Sequence, residues 1–310
     1  MIVTVTPNTV LDYTLLVPHF EFNQTIRAST YAWGMGGKAN DAAWILGRLG
    51  QPVLALGFAA GRLGERMERM LQEHGVFTDF VRVGGETRLS LVVVTSDGEG
   101  QSTLSPSSLH VSPDQLADFE ARYNQALEKA TCIVIGGSLP EGVPPEFFRQ
   151  AISEARRLGI PVIFDASGPA LQAGLQGRPS LVKPNRDELA GLLGFVPKNM
   201  NEIFAAARCL QQDYGTDAIL TLGQDGALAV LGEKSFRIPP LPVPVSSTAG
   251  AGDGVLAGMA LAYSRGEPLE MGLKHGFALA GAVLKTLGTA DFEVEDYRRL
   301  LPEVELIPVG

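Results

Sequence analysis

The sequence predicts an α/β protein built on a mostly parallel, doubly wound sheet, with a smaller sheet beside it. Three observations carry this. From Ser112 onward, short apolar strands alternate with amphipathic helices, the pattern of units whose strands run parallel. In the first hundred residues, partly polar strand-like segments follow one another with little helix between them, which reads as a separate small sheet. The candidate ligand-binding motifs fall at the ends of strands, where doubly wound sheets hold their ligands.

Each element has its own signal. Ile2 to Thr6 reads as a strand; Asn8 and Asp12 follow, then the alternating segment Tyr13-Thr14-Leu15-Leu16-Val17. Gln24 to Trp33 reads as another strand. A helix from about Lys38 to Leu49 is stopped by Gly50. Pro52 to Phe58 is an apolar strand, and Leu63 to His74 an amphipathic helix ended by Gly75. Phe77 to Val83, Arg88 to Thr95 and Gln101 to Leu104 read as strands, with Ser96-Asp97-Gly98 as a turn. Ser112-Pro113-Asp114 starts a helix that reaches about Lys129. The strand Cys132 to Ile135, the helix Pro145 to Leu158 and the strand Pro161 to Phe164 come next. Leu181-Val182 ends a strand, and helices follow at Arg186 to Leu193 and Glu202 to Tyr214. Ala218 to Leu222 and Ala227 to Leu231 are strands, and Val255 to Tyr263 is an apolar helix of small residues.

Composition narrows the function. The chain has 310 residues, 45% of them hydrophobic, enough for one large domain. Its net charge is −9 with no basic run, which disfavours nucleic acid as a partner. No signal-like or membrane-spanning run opens the chain. The two cysteines, Cys132 and Cys209, lie in no CxxC motif, so neither a disulfide nor a zinc site is expected, and the protein is expected in the cytoplasm. Four scattered His without HExxH speak against a metalloprotease.

The stretch Ser247-Thr248-Ala249-Gly250-Ala251-Gly252-Asp253-Gly254 runs from a glycine-rich turn into a helix. Such a turn lets backbone approach a ligand, and the first helical amides carry the positive end of the dipole, so the stretch makes an anion site. A carboxylate at Asp253 suits a base that takes a proton from a hydroxyl while the amides hold a transferring phosphoryl group. The simpler alternative is an Asp capping its own helix.

Gly36-Gly37-Lys38 opens the first long helix and reads as an anion or hydroxyl site, or as an ordinary helix start. It is not a Walker A loop, because Ala39 follows Lys38 and Ala32 stands where the first glycine belongs. Gly34, Gly36 and Ala39 fit a dinucleotide pattern, but the next strand ends Gly57-Phe58-Ala59-Ala60 without the acid that holds a ribose. Gly136-Gly137-Ser138-Leu139-Pro140 ends a strand and places Ser138 for a ligand hydroxyl; Pro140 rules out a nucleophile elbow. In Lys183-Pro184-Asn185-Arg186-Asp187-Glu188, Asn185 and Glu188 fit a capping box, or orient water on Mg²⁺. Thr221-Leu222-Gly223-Gln224-Asp225-Gly226 fits a hairpin whose amides could also meet a phosphate. Arg88 opens a strand of the small-sheet region.

Taken together, the chain resembles the ribokinase-like, PfkB-type carbohydrate kinases over nearly its whole length. The matches come in family order: Asn8 with Asp12, Gly36-Gly37-Lys38, Gly136 to Pro140, Lys183-Pro184-Asn185 with Glu188, Thr221-Leu222-Gly223 with Gly226, and Gly250 to Asp253. Within the family it is most similar to the 1-phosphofructokinase and tagatose-6-phosphate kinase branch, through Thr4 to Asn8 leading to Asp12, Thr87-Arg88 before a strand, and Asp165 to Leu171. The resemblance implies a three-layer α/β/α sandwich (residues 1–9, 36–83 and 106–310) with a β-sheet lid (10–35 and 84–105), often the surface of a homodimer. It implies Asp253 as base and the amides of Ala251, Gly252 and Asp253 as anion hole, with Gly250 leading in. Asp12, Gly36, Gly37, Lys38, Asp41 and Ser138 would lie on the acceptor. Arg88, Lys38 and Arg27 would hold a phosphate already on it. Lys183, Asn185, Thr221, Gly223 and Gly226 would serve ATP, Asn185 and Glu188 Mg²⁺ through water, and the helices near His275 to Gly288, Gly281 among them, would flank adenine.

Three positions depart from the family pattern, all on the acceptor side. Gly36-Gly37-Lys38-Ala39-Asn40-Asp41 places a carboxylate where the family carries a sugar-binding Asn. Ser105-Pro106-Ser107-Ser108 replaces an Asn- and Gly-bearing stretch, and Thr9 stands where proline is usual. The expected activity is ATP-dependent phosphorylation of a phosphosugar of the fructose 1-phosphate, fructose 6-phosphate or tagatose 6-phosphate type. The alternatives are a kinase of an unphosphorylated sugar or nucleoside, to which Asp41 points, and a sugar-binding regulator without catalysis.

Overall fold

The structure is a computed structural model and describes residues 1–98, 100–106 and 109–310. Its centre is the strand Ile2–Thr6, all five residues buried. Alternate side chains of this strand enter different cores. Ile2 packs with Ala39, Ile45, Leu256, Leu261 and Leu279 on one face. Val3 and Val5 pack with Phe119, Phe148, Ala207 and Leu210 on the other. The next strand, Cys132–Gly136, divides in the same way, with Cys132 and Val134 on the first face and Ile133 and Ile135 on the second. A strand covered on both faces must be apolar throughout, as parallel sheets require.

Ten strands form the large sheet, in the order Ile307–Pro308, Lys234–Ile238, Ala227–Leu231, Asp217–Thr221, Leu181–Val182, Val162–Asp165, Cys132–Gly136, Ile2–Thr6, Val53–Ala59 and Phe77–Arg82. From Asp217–Thr221 to Phe77–Arg82 all pairs are parallel; the other three strands add on antiparallel. The sheet is therefore mostly parallel and helix-covered, the ribokinase-like architecture expected from the sequence. Gly223 to Gly226 closes the expected hairpin. Gly226 has φ +84°, and a Cβ there would lie 2.1 Å from the Ile238 carbonyl, so only glycine fits.

The small sheet is separate and runs Thr30–Gly36, Val10–Val17, Arg88–Thr95, Gln101–Leu104. Its register sets Asp12 between Gly34 and Ser90. The strand read at Gln24 to Trp33 begins only at Thr30. Ser29 N still donates to Leu16 O at 2.8 Å, but the partner stops at Val17, before Pro18, which has no N–H to donate to a ladder, so the pairing does not extend further back. The helix Gly168–Leu175 and the strand Lys234–Ile238 carry no clear sequence signal: the first is one of the shortest helices and the second lacks a long apolar run.

Candidate active site

The parallel strands deliver their C-terminal residues to one edge of the sheet: Asn8, Ser138, Asp165, Lys183 and Thr221. Asp165 is 1% exposed and would be pushed up by burial alone, but Lys183 and Lys38 outweigh that and hold it below the usual carboxylate range. Lys183 Nζ lies 2.7 Å from one Asp165 oxygen, and Lys38 Nζ donates to the other. Lys38 Nζ also donates to Glu188 Oε1 at 2.9 Å. Burial works against the Lys38 charge, yet Asp165 and then Glu188 outweigh it and keep the ammonium well above its ordinary range. From the sequence, Lys38 is expected on the acceptor. The structure commits its ammonium to Asp165 and Glu188, which border the residues expected along the nucleotide.

Asn185 and Glu188 form the capping box read from the sequence: Glu188 N donates to Asn185 Oδ1 and Asn185 N to Glu188 Oε2, each at 2.9 Å. A parallel bridge ties Asn185 to Thr221, which brings the two strand ends together. Gly223, at φ +62°, has open space where a side chain would be. Gly281 sits in the core between Leu241 and Leu300, which a Cβ would crowd at 2.9 and 3.2 Å, so its contacts are with apolar side chains.

The loop before the helix Ala251–Arg265 has the expected shape. Gly250 is its N-cap at φ +82°, and a Cβ there would lie 2.3 Å from Ala290 N. Of the three amides expected in the anion hole, that of Asp253 is already paired, donating to Gly250 O at 3.0 Å. This is a 3₁₀-type bond to the cap carbonyl, which also accepts from Gly254 N at 3.2 Å, and it corrects the expectation for Asp253 N. Ala251 N reaches Thr248 O only at 3.4 Å, a weak bond, and Gly252 stands at the second helical position, where no intrahelical acceptor exists. A Cβ on Gly252 would lie 3.2 Å from Lys183 Nζ, so these amides and the lysine ammonium border the same space.

Three carboxyls line the other side. Burial pushes Asp253 up to about 7, opposed chiefly by Lys183. Asp41 is 3% exposed and is pushed well above the usual range, first by burial, then by the charges of Asp253 and Asp12. Asp41 and Asp253 hydrogen-bond to each other, and the other Asp41 oxygen is buried without a partner. Burial also pushes Asp12 up to about 6, against a hydrogen bond from Thr289 Oγ1 at 2.8 Å and the Arg88 charge. A Cβ on Gly36 would lie 2.8 Å from Asp12 Oδ1, which explains glycine there; Gly37 takes φ +87° as the N-cap of the helix Lys38–Arg48.

Arg88 lies beyond Asp12. Its guanidinium donates to Ser105 Oγ at 3.1 Å and to Asn8 O at 3.4 Å, and its Nε is buried with no partner. Ser138 Oγ accepts from Asn8 Nδ2 at 2.9 Å and lies 3.5 Å from Arg88. Ser105, flagged as a departure, is thus part of this cluster, while Ser107 and Ser108 lie outside the described residues. Thr9, the other departure, donates to Phe58 O at 2.6 Å and anchors the start of the small sheet to the large one. Arg27 is exposed, in the connection before Thr30. Asp165, Asn8 and Thr289 were given no role in the sequence reading. Asp165 could have been found, as an acid ending a buried strand. Thr289 could not, since only the tertiary fold brings it to Asp12.

A sheet-edge site with a glycine-rich helix start, one buried and one half-buried lysine, and three clustered carboxyls fits a phosphotransferase. Residues 3–296 match the pfkB family of carbohydrate kinases, and the chain belongs to that family. Among solved structures it is similar to phosphofructokinase-2 from Escherichia coli, at 29% identity and a TM-score of 0.88 over 97% of this chain and 98% of that one. It is also similar to a possible 1-phosphofructokinase from Thermotoga maritima, at 25% identity and a TM-score of 0.89 over 100% and 99% of the two chains. A ribokinase from Arabidopsis thaliana, 22% identical with a TM-score of 0.76 over 97% and 98%, shares the fold. The protein is a sugar kinase that transfers phosphate to a hydroxyl. Among the described residues, no helix is long and apolar enough to cross a membrane.

Proposed function

We propose that the acceptor is a phosphosugar of the fructose 1-phosphate, fructose 6-phosphate or tagatose 6-phosphate type, with ATP as donor. The observation that carries this is Arg88, whose guanidinium is gathered with Asn8, Ser138 and Ser105 and whose Nε has no partner. A phosphate of the acceptor would supply the missing acceptor atoms in a form that guanidinium groups match well. Asp12 interacts with Arg88 on one side and Asp41 on the other, so a sugar ring over Asp12 has its phosphate at Arg88 and a hydroxyl toward Asp253.

Asp253 takes the proton of that hydroxyl, and a carboxylate pushed up to about 7 is well matched to the task. The amides of Ala251 and Gly252, with Lys183, hold the transferring group. Lys38 and Asp165 fix Lys183 in place. Asn185, Thr221, Gly223 and Gly226 flank the nucleotide, and the strand pair 217–231 supplies their backbone. Gly281 acts through packing behind that surface.

The donor set suits Mg²⁺ carried on the nucleotide phosphates. Glu188 is one carboxylate at this edge, and among the described residues no cluster of three His, Cys, Asp or Glu could hold a metal by itself. The ion would neutralise charge developing on the phosphoryl group.

We take residues 10–35 and 84–105 as a lid. Its exposed Phe20, Phe22, Tyr31 and Leu104 favour a homodimer through it. Two free cysteines accord with a cytoplasmic protein.

The second reading is an unphosphorylated acceptor, favoured by Asp41, since a buried carboxyl group suits neutral hydroxyls better than phosphate. An ADP-release assay with Mg-ATP separates the two. The panel holds fructose 1-phosphate, fructose 6-phosphate, tagatose 6-phosphate, fructose, ribose and adenosine. Turnover on a phosphosugar supports the proposal. Turnover on neutral acceptors alone overturns it, and ligand binding without any ATP turnover would indicate a regulator.

A further inference from the structure

Gln101 opens the edge strand of the small sheet, far in sequence from the Gly250 loop. Its side-chain oxygen nevertheless accepts three hydrogen bonds from the turn that leads into that loop: from Ser247 Oγ at 3.0 Å, Thr248 N at 3.0 Å and Thr248 Oγ1 at 3.4 Å. Ser247 is 2% exposed, and its hydroxyl in turn accepts from Ala249 N at 3.2 Å. Ala249 O accepts from Ala290 N at 3.4 Å, and Ala290 is the backbone against which Gly250 is wedged. One amide oxygen of the small sheet therefore anchors a chain of contacts that ends at the first residues of the anion loop.

We infer that Gln101 is a positioning residue for phosphoryl transfer, holding the Ser247–Thr248 turn so that the Ala251 and Gly252 amides are set only while the small sheet is seated. This rests on the reading of the Gly250–Asp253 loop as the anion hole. A three-donor acceptor is more than the strand itself needs: Gln101 already pairs with Val94 through its backbone. The chemistry also fits a seated-lid device. The acceptor pocket contains Asp12 and Arg88 from the small sheet, so the same sheet that brings the acceptor residues would set the loop that binds the transferring group. Misplacing such a loop by about an ångström costs up to roughly a hundredfold in rate.

The test compares Gln101→Met, which keeps the length and removes the acceptor, with Gln101→Glu, which keeps an acceptor oxygen. Each is assayed with Mg-ATP and the best acceptor of the panel, beside Asp253→Asn. The expected result for Gln101→Met is a fall in kcat of roughly ten- to a hundredfold with KM for ATP within about threefold. Gln101→Glu should recover most of the loss. A Ser247→Ala/Gln101→Met pair should lose little more than Gln101→Met alone, because both break one linkage. Wild-type kcat in Gln101→Met overturns the inference, as do equal losses in the Met and Glu variants or fully additive losses in the pair. If Asp253→Asn stays active, it is the reading of the loop that fails. If Asp253→Asn is inactive and Gln101→Met is normal, the loop reading stands and the role of Gln101 falls.

Discussion

Asp41 and Asp253 are hydrogen-bonded carboxyl to carboxyl, with the Asp12 charge beside them. Two buried acids in contact share their protons as a unit, and their titrations belong to the pair. The bond lowers Asp253 while the Asp253 charge raises Asp41, so the pair holds one proton over a range of pH, which the proposed reading places on Asp41. In that form Asp253 would be the base of the proposed reaction, and Asp41 would do what the amide of an Asn does.

A bell-shaped pH profile follows. As pH falls through about 7, Asp253 takes a proton and kcat/KM drops. As pH rises, Asp41 loses its proton, the two charges repel, and activity falls again. Asp41→Asn keeps an N–H donor for Asp253 and has nothing to lose at high pH, so its profile should keep the acid limb and reach a plateau. An unchanged alkaline limb in Asp41→Asn would show that another group causes it.

The same carboxyls should make the ligand-free protein less stable as pH rises. Asp12 and Asp253 go from an ordinary 3.8 to about 6 and about 7, so the folded state holds protons that the unfolded chain has lost. The stability present below about pH 4 is lost up to about pH 7 through these groups. Asp12→Asn should flatten the lower part of that fall in Tm measured from pH 4 to 7. No change in slope would remove Asp12 from the account.

Lys183→Met leaves Asp165 with one lysine in a site that is almost fully dry. Breaking a buried pair costs roughly 3 kcal/mol or more, and the remaining Lys38 keeps the loss near that lower figure. Urea unfolding should show it, and Asp165→Asn together with Lys183→Met should cost less than the sum of the single changes.

Gly250→Ala forces a side chain into left-handed backbone and against Ala290 N. A strain of about 1–3 kcal/mol is expected in stability. The loop must shift to relieve it, so kcat should fall at least tenfold by the same misplacement argument, with acceptor KM changed less.

Arg88→Ala should raise KM for a phosphosugar strongly, by about 10²-fold if a charge-assisted bidentate contact of roughly 3 kcal/mol is lost, and leave a neutral acceptor unaffected. Equal KM values for the two enzymes on the phosphosugar would move the phosphate away from Arg88.

The parts of this fold that were legible in the sequence are those set by local chemistry. Glycines at Gly226 and Gly250 are demanded by φ and by neighbouring backbone, the Asn185–Glu188 box by spacing, and the buried strands by uninterrupted apolar runs. What sequence could not show arises from tertiary contact. Lys38 reads as an acceptor ligand beside Gly37, but a neighbouring strand sets Asp165, and the helix Arg186–Leu193 sets Glu188, at its ammonium. Asp41 reads as a carboxylate, and only its burial against Asp253 shows that it is pushed well above the usual range. Gln101 reads as the start of a strand, and only the tertiary structure reveals the turn at its side chain.

The most direct test of the central claim is Asp253→Asn, assayed for kcat on the best acceptor with nucleotide binding measured in parallel. The account predicts a loss of roughly 10²- to 10⁴-fold in kcat, the range for a general base, with nucleotide affinity nearly unchanged. A variant that retains near wild-type turnover would contradict it, because the hydroxyl proton would then leave by a route that does not involve Asp253.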